Sequence, residues 1–336
     1  HAASLQKTAY RAVAAVMQHD AAGKIGDANR ILELWPMLRD ARQTCTTPAV
    51  KARLAAIQAL LLLMQERLAN RFREPAIRQG YIECLKTVLP EIMQHLRDPG
   101  SALRDVAREC LHVAATTAIH QDLQAEIVTL ISAGLAGLTR LSKASAVDTF
   151  SRLMYEHSTV LSEELQGRLT TVVLLLLEDN DAQVWRSALK FAKVVAFVAP
   201  KERLTAVLPQ IFRLFQSRHL ASAKMLVRTI IERLAKVLPP ELLGQEFPKE
   251  HLPLLHYVQK QIARQQRPKT MREAKSKDED GGDEDAEMED AEGAPKASWD
   301  AFDKEEDGDV GAEAAAAPRG ARRKRARGSA EGAEEA

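Results

Sequence analysis

Cysteine is scarce in these 336 residues: Cys45, Cys84 and Cys110, none in a Cys-x-x-Cys pair. Such isolated thiols exclude a disulfide framework and a cysteine zinc site, and they fit a reducing compartment. Aromatics make up only 4%. No stretch alternates apolar and polar residues as a half-buried strand does, which argues against a sheet. The longest uninterrupted apolar runs, such as Val172–Leu177, fall far short of a bilayer span. The residues from His1 onward do not read as a secretory leader. His1 runs directly into a helical pattern, so the chain is expected to be the C-terminal part of a longer solenoid.

Catalytic signatures are missing too. There is no Gly-rich phosphate loop, no His-Glu-x-x-His and no nucleophile elbow. The nine histidines are scattered, and His251 and His256 stand five apart, which is not ligand spacing on a helix. Asp179 and Asp181 read as turn caps, and Met154 and Met225 as core. The expectation is a protein that is not an enzyme, with no catalytic residue, cofactor or metal site, no small-molecule substrate and no membrane partner.

Helical periodicity is abundant. Between Leu174 and Phe215, Val184, Ala188, Phe191, Val195 and Val198 recur at steps of three and four, one face of a helix. Arg186, Lys190 and Lys193 recur at the same steps, about 200° away around the axis. Asn180 or Asp181 can cap this helix, and Pro200 stops it. Leu204, Val207, Leu208, Ile211 and Leu214 form a second stripe. The same periodicity predicts helices over 4–17 (Leu5, Ala9, Val13 and Val16 on one face), 25–38, 49–69, from 74 through 88, and 102–119. Further ones are read over 122–139, 144–157, 161–177, 181–199, 202–216, 219–238 and 248–265.

Three segments superimpose, beginning at Val88, Val172 and Val207. Val88-Leu89-Pro90 and Val207-Leu208-Pro209 are 119 residues apart, and Asp98 and Asp179 are 81 apart. These are about three and two units of 40. Paired amphipathic helices at that period are the signature of a HEAT/armadillo-type α-solenoid, in which each unit buries its apolar face on the next. The expected fold class is therefore all-α. Residues 1–265 form six to seven units, with a degenerate one near 121–160. Residues 266–336 are an acidic and then basic tail too poor in apolar residues to order itself.

Charge is asymmetric. From Arg267 onward there are 13 basic and 21 acidic residues, leaving 34 and 25 before it: a net of −8 against +9. Two readings of the basic body stand side by side, a face for an anionic partner and a solvated surface rich in Lys and Arg. The candidate surface comprises Arg186, Lys190, Lys193, Lys224, Arg228, Arg233, Lys236, Lys260 and Arg264. A row of cations suits a phosphate backbone, although Arg228 and Glu232 also form an obvious helical pair. In the tail, Arg319, Arg322, Arg323, Lys324, Arg325 and Arg327 read as a nuclear-localisation-like run, and Trp299 and Phe302 as a docking motif for a partner groove.

The run Ser187-Ala188-Leu189-Lys190-Phe191-Ala192-Lys193-Val194 is followed by Leu208-Pro209. Ala223-Lys224 through Ile231-Glu232-Arg233-Leu234, and Leu254-Leu255-His256-Tyr257-Val258-Gln259-Lys260, come after it. Together these resemble the C-terminal region of the ribosomal RNA-processing protein 12 family over about residues 172–265. Trp185 stands where that family has Val or Ile, and Gln261–Gln266 is less Lys-rich. The resemblance implies a nucleolar HEAT-repeat scaffold of small-subunit (40S) ribosome biogenesis within the 90S pre-ribosome, or small-subunit processome. Its partners would be pre-ribosomal RNA, ribosome assembly proteins and nuclear transport factors. Its work would be pre-rRNA processing and pre-40S export, in the nucleus and nucleolus with shuttling to the cytoplasm. The alternative is a karyopherin-type nuclear transport receptor or another HEAT scaffold, against which the chain's own nuclear-type signal counts.

Overall fold

The computed structural model describes residues 2–19 and 28–264, and these residues are an all-α solenoid. Its helices are α1 (Ala2–Gln18), α2 (Ala28–Asp40), α3 (Val50–Leu68), α4 (Pro75–His95), α5 (Ser101–His120), α6 (Gln124–Ser132) and α7 (Arg140–His157). There follow α8 (Glu163–Leu174), α9 (Ala182–Val198), α10 (Lys201–Ile211), α11 (Lys224–Val237), α12 (Pro240–Glu246) and α13 (252–264). Short 3₁₀ turns extend α8 and α10 and lead into α11.

The helices form two layers. In one, α1 packs on α3 and α3 on α5, and further along α7 packs on α9 and α9 on α11. In the other, α2 packs on α4, α4 on α6, and α8 on α10. The closest stacking, α7 on α9, uses small residues. Ala144, Ser145, Ala146 and Thr149 of α7 are buried, as are Ser187, Ala188 and Ala192 of α9. Short side chains let the helix axes approach closely.

The repeat is visible in the turns. Gly100 N–H donates to Asp98 Oδ1 at 2.8 Å, and Asp181 N–H to Asp179 Oδ1 at 2.7 Å. In the third copy His219 N–H donates to Ser217 Oγ at 3.2 Å. The same side-chain-closed turn recurs with Ser in place of Asp, both being short acceptors that fold back on the backbone. Asp181 then caps α9, accepting from Gln183 and Val184. Pro90 and Pro209 lie inside α4 and α10 rather than ending them. Each removes one backbone hydrogen bond but leaves the apolar face continuous.

Ties between units keep the period. Arg53 reaches Glu91 (38 residues on), Gln124 reaches Ser162 (38), Asn180 receives Arg218 (38) and Ala196 receives Arg233 (37). The exception falls at the degenerate unit. There α6 has only nine residues, and α4 packs directly on α7. Arg97 crosses this gap, donating to Asp148 at 2.5 Å and to Ser187 at 2.8 Å.

Arg53 is the deepest charge. Its Nε is 2.7 Å from Glu91 Oε1 and its Nη2 3.1 Å from Oε2, a bidentate pair. Its Nη1 donates to the Leu38 carbonyl. Arg53 is 1% exposed and Glu91 3%. One ion pair thus joins α2, α3 and α4 in the core.

Several expectations are corrected here. The face Leu5–Val13–Val16 of α1 is open, with Leu5 73% exposed, because α1 rests on α3 through Tyr10, Ala14 and Met17. Met225 is exposed rather than core, lying off the buried Val227–Ile230–Ile231–Leu234 stripe. Short α12 falls between the helices expected over 219–238 and 248–265, and α6 has nine residues where 122–139 is expected. The segment Thr47–Leu68, interrupted by polar residues in the sequence, is nevertheless long and apolar enough to cross a membrane by length and composition, and most of it is buried within the fold. A helix flanked on both sides, as α3 is by α1 and α5, is apolar all round for that reason. Cys84 and Cys110 are buried, and burial pushes both thiols well up, which leaves them inert.

Candidate nucleic-acid interface

The nine cations singled out above do not form one surface. Helix α9 is flanked by α7 and α11 in its own layer and contacted by α8 and α10 from the other. Most of its circumference is therefore covered. Lys193, expected on an outer stripe, is 2% exposed. Arg186 and Lys190 are half-buried, and Arg186 Nη2 lies 3.5 Å from the Ser222 carbonyl. All three α9 cations have interactions within the fold.

Arg233 is also used internally. Its Nε donates to the Ala196 carbonyl at 3.3 Å, and its guanidinium sits 5.0 Å from the Phe197 ring centroid. A cation on the last carbonyls of α9 satisfies orphan acceptors and meets the negative end of the helix dipole. This contact ties α11 to the end of α9.

What remains open lies on α11 and α13. Lys224, Lys236, Lys260 and Arg264 are exposed. At 100° per residue, Arg228 and Lys236 lie about 80° apart and away from the buried stripe, while Lys224 opens the helix at the edge of that stripe. Arg228 pairs with Glu232 at 2.6 Å and lies 5.4 Å from the Tyr257 ring centroid. This contact ties α11 to α13. It also presents an Arg-backed aromatic on a face that carries exposed lysines, the combination of stacking face and cations that suits single-stranded nucleic acid. Tyr257 is half exposed. Periodicity did not flag it, since a single aromatic among polar residues carries no pattern. The tail residues Trp299, Phe302, Arg319, Arg322, Arg323, Lys324, Arg325 and Arg327 lie outside the described residues.

Half-buried His95 and buried His157 make the fold sensitive to acid. Burial holds the pKa of His95 and of His157 below the ordinary histidine value, with His112 and His120 adding to the effect on His157. The unfolded chain then binds protons that the folded chain refuses. Stability is full above the unfolded value near ~6.5 and falls as pH drops below it toward the folded values. Urea midpoints measured from pH 7.5 to 5.5 are expected to fall. Replacing both histidines by Gln should flatten that dependence, and an unchanged slope would refute the assignment.

No protein-family model matches the chain. It is 21% identical over 280 residues to a ribosomal RNA-processing protein 12 of Schizosaccharomyces pombe, covering 80% of this chain and 23% of that protein. It is 22% identical over 288 residues to the ribosomal RNA-processing protein 12 of Saccharomyces cerevisiae, covering 79% of this chain and 22% of that one. The resemblance read at residues 172–265 therefore extends over about four fifths of the chain. The chain spans less than a quarter of the length of either relative.

Proposed function

We propose that this chain is a non-catalytic HEAT-type scaffold that acts in ribosome biogenesis and ribosomal RNA processing. The observation that carries the proposal is the similarity to the two yeast ribosomal RNA-processing proteins over most of the chain. The fold supports it, because a stack of short helix pairs offers extended surface and little enclosed space for a reaction. The exposed cations of α11 and α13, beside Tyr257, support direct contact with RNA.

In its finer form the proposal assigns the chain to small-subunit assembly. It would hold pre-ribosomal RNA and assembly proteins in the 90S pre-ribosome, assist pre-40S export with nuclear transport factors, and reside in the nucleus and nucleolus. The basic run from Arg319 to Arg327 would serve as its nuclear address. Ultraviolet crosslinking in cells, followed by sequencing of the attached RNA, tests this reading. Enrichment of small-subunit precursor RNA is the expected result. Recovery of cargo proteins and a small GTPase without ribosomal RNA would overturn it in favour of a transport receptor.

A further inference from the structure

Away from the cationic surface, three donor groups converge between α5 and α7. His112 Nδ1 is 2.9 Å from Glu156 Oε2, and His157 Nε2 is 4.0 Å from the same residue's Oε2. All three donor atoms lie within 4.8 Å of one another. The two imidazoles stack at 5.7 Å between centroids. His157 is 7% exposed, and its buried Nε2 has no hydrogen-bond partner. Folded proteins rarely leave a buried polar nitrogen unmatched, so each such atom asks for an explanation.

We propose that His112, Glu156 and His157 form a binding site for one divalent transition-metal cation of the zinc class. Two imidazole nitrogens and one carboxylate oxygen make the set His₂Glu, which zinc accepts with a fourth position left to water. Calcium and magnesium want oxygen ligands throughout, and soft monovalent copper wants sulfur. Metal–ligand bonds of about 2.0–2.1 Å in a tetrahedron place donors roughly 3.4 Å apart. The observed 2.9 and 4.0 Å bracket that spacing, and the remaining pair lies within 4.8 Å.

The surroundings fit as well. Arg152 Nε lies 2.6 Å from Glu156 Oε1, which orients the carboxylate and leaves Oε2 for the metal. His112 is exposed and provides the entry path. On binding, His112 exchanges its contact with Glu156 for the metal. Its ring proton then resides on Nε2, and no net proton need be lost. The cation would join α5 to α7, which lack the extended contact that α3 has with α5 and α7 has with α9.

The test uses the whole 336-residue chain, titrated calorimetrically with zinc chloride. Cobalt(II) absorption serves as a second readout, since coordination geometry is visible there. The parent should take up one saturable equivalent and show a tetrahedral-type cobalt spectrum. His112→Ala and Glu156→Gln should each weaken that uptake at least tenfold and abolish the spectrum. The parent alone should gain thermal stability with zinc. Because His112 is exposed, its variant should keep the parent's circular dichroism, which separates lost binding from lost folding. Equal uptake by parent and His112→Ala, or no saturable equivalent in the parent, would overturn the proposal.

Discussion

Replacing Glu91 by Ala is expected to lower the unfolding free energy by about 3–5 kcal/mol, since it strands the Arg53 guanidinium in the core. The pair is buried on both sides. Arg53 keeps only the Leu38 carbonyl and a 3.5 Å approach to Tyr10 Oη once the carboxylate is gone. Urea unfolding at pH 7 reads the loss as a lower midpoint with an unchanged slope. The double variant Arg53→Met/Glu91→Leu should recover most of it, because two apolar groups of similar volume remove both desolvation costs together. A loss under about 1 kcal/mol for Glu91→Ala would mean that water reaches the pair.

Reversing Lys224, Lys236 and Lys260 to Glu is expected to weaken binding of single-stranded RNA at least tenfold without moving the urea midpoint. Each of these side chains is exposed. Loss of three phosphate contacts should also flatten the salt dependence, by roughly 0.7 per contact on a logarithmic plot. Fluorescence anisotropy on the purified chain over a series of salt concentrations measures both. Lys193→Glu serves as the contrast. It places a carboxylate where a partnered cation is buried, and should cost on the order of 3–5 kcal/mol of stability. A folded Lys193→Glu protein with selectively impaired RNA binding would return the interface to α9.

This contrast shows where the sequence could and could not be read. Helix periodicity, the Asp98 and Asp179 turns and the Asp181 cap are local features, and their recurrence gives the 40-residue unit. Each depends on residues a few positions apart, so each was legible, and the Ser217 turn extends them by one copy. The apolar stripe of α9 was legible for the same reason. Which of its other faces met solvent was not. That depends on α7 and α11 lying against it, and a row of Arg and Lys reads alike whether it is bathed in water or tied to its neighbours. The α1 stripe failed in the opposite sense, apolar by pattern yet uncovered. Arg53 with Glu91, and His112 with Glu156, stand 38 and 44 residues apart. No motif spans such distances. Only the repeat length hints that residues one unit apart should be compared as partners.

The near-constant reach of the inter-unit ties also bears on how the chain is made. Most cross-unit hydrogen bonds join residues 36 to 48 apart. During synthesis from the N-terminus, each new helix pair finds its partners already emerged, within the last unit or so of nascent chain. Loops to be closed stay short and cost little entropy. Assembly can therefore keep step with translation, one pair at a time. The reach of Arg97 to Ser187, 90 residues on, is the step that must wait. Its last contact forms only after α9 has been made, so among these ties the one at the α4–α7–α9 junction waits longest for its partner.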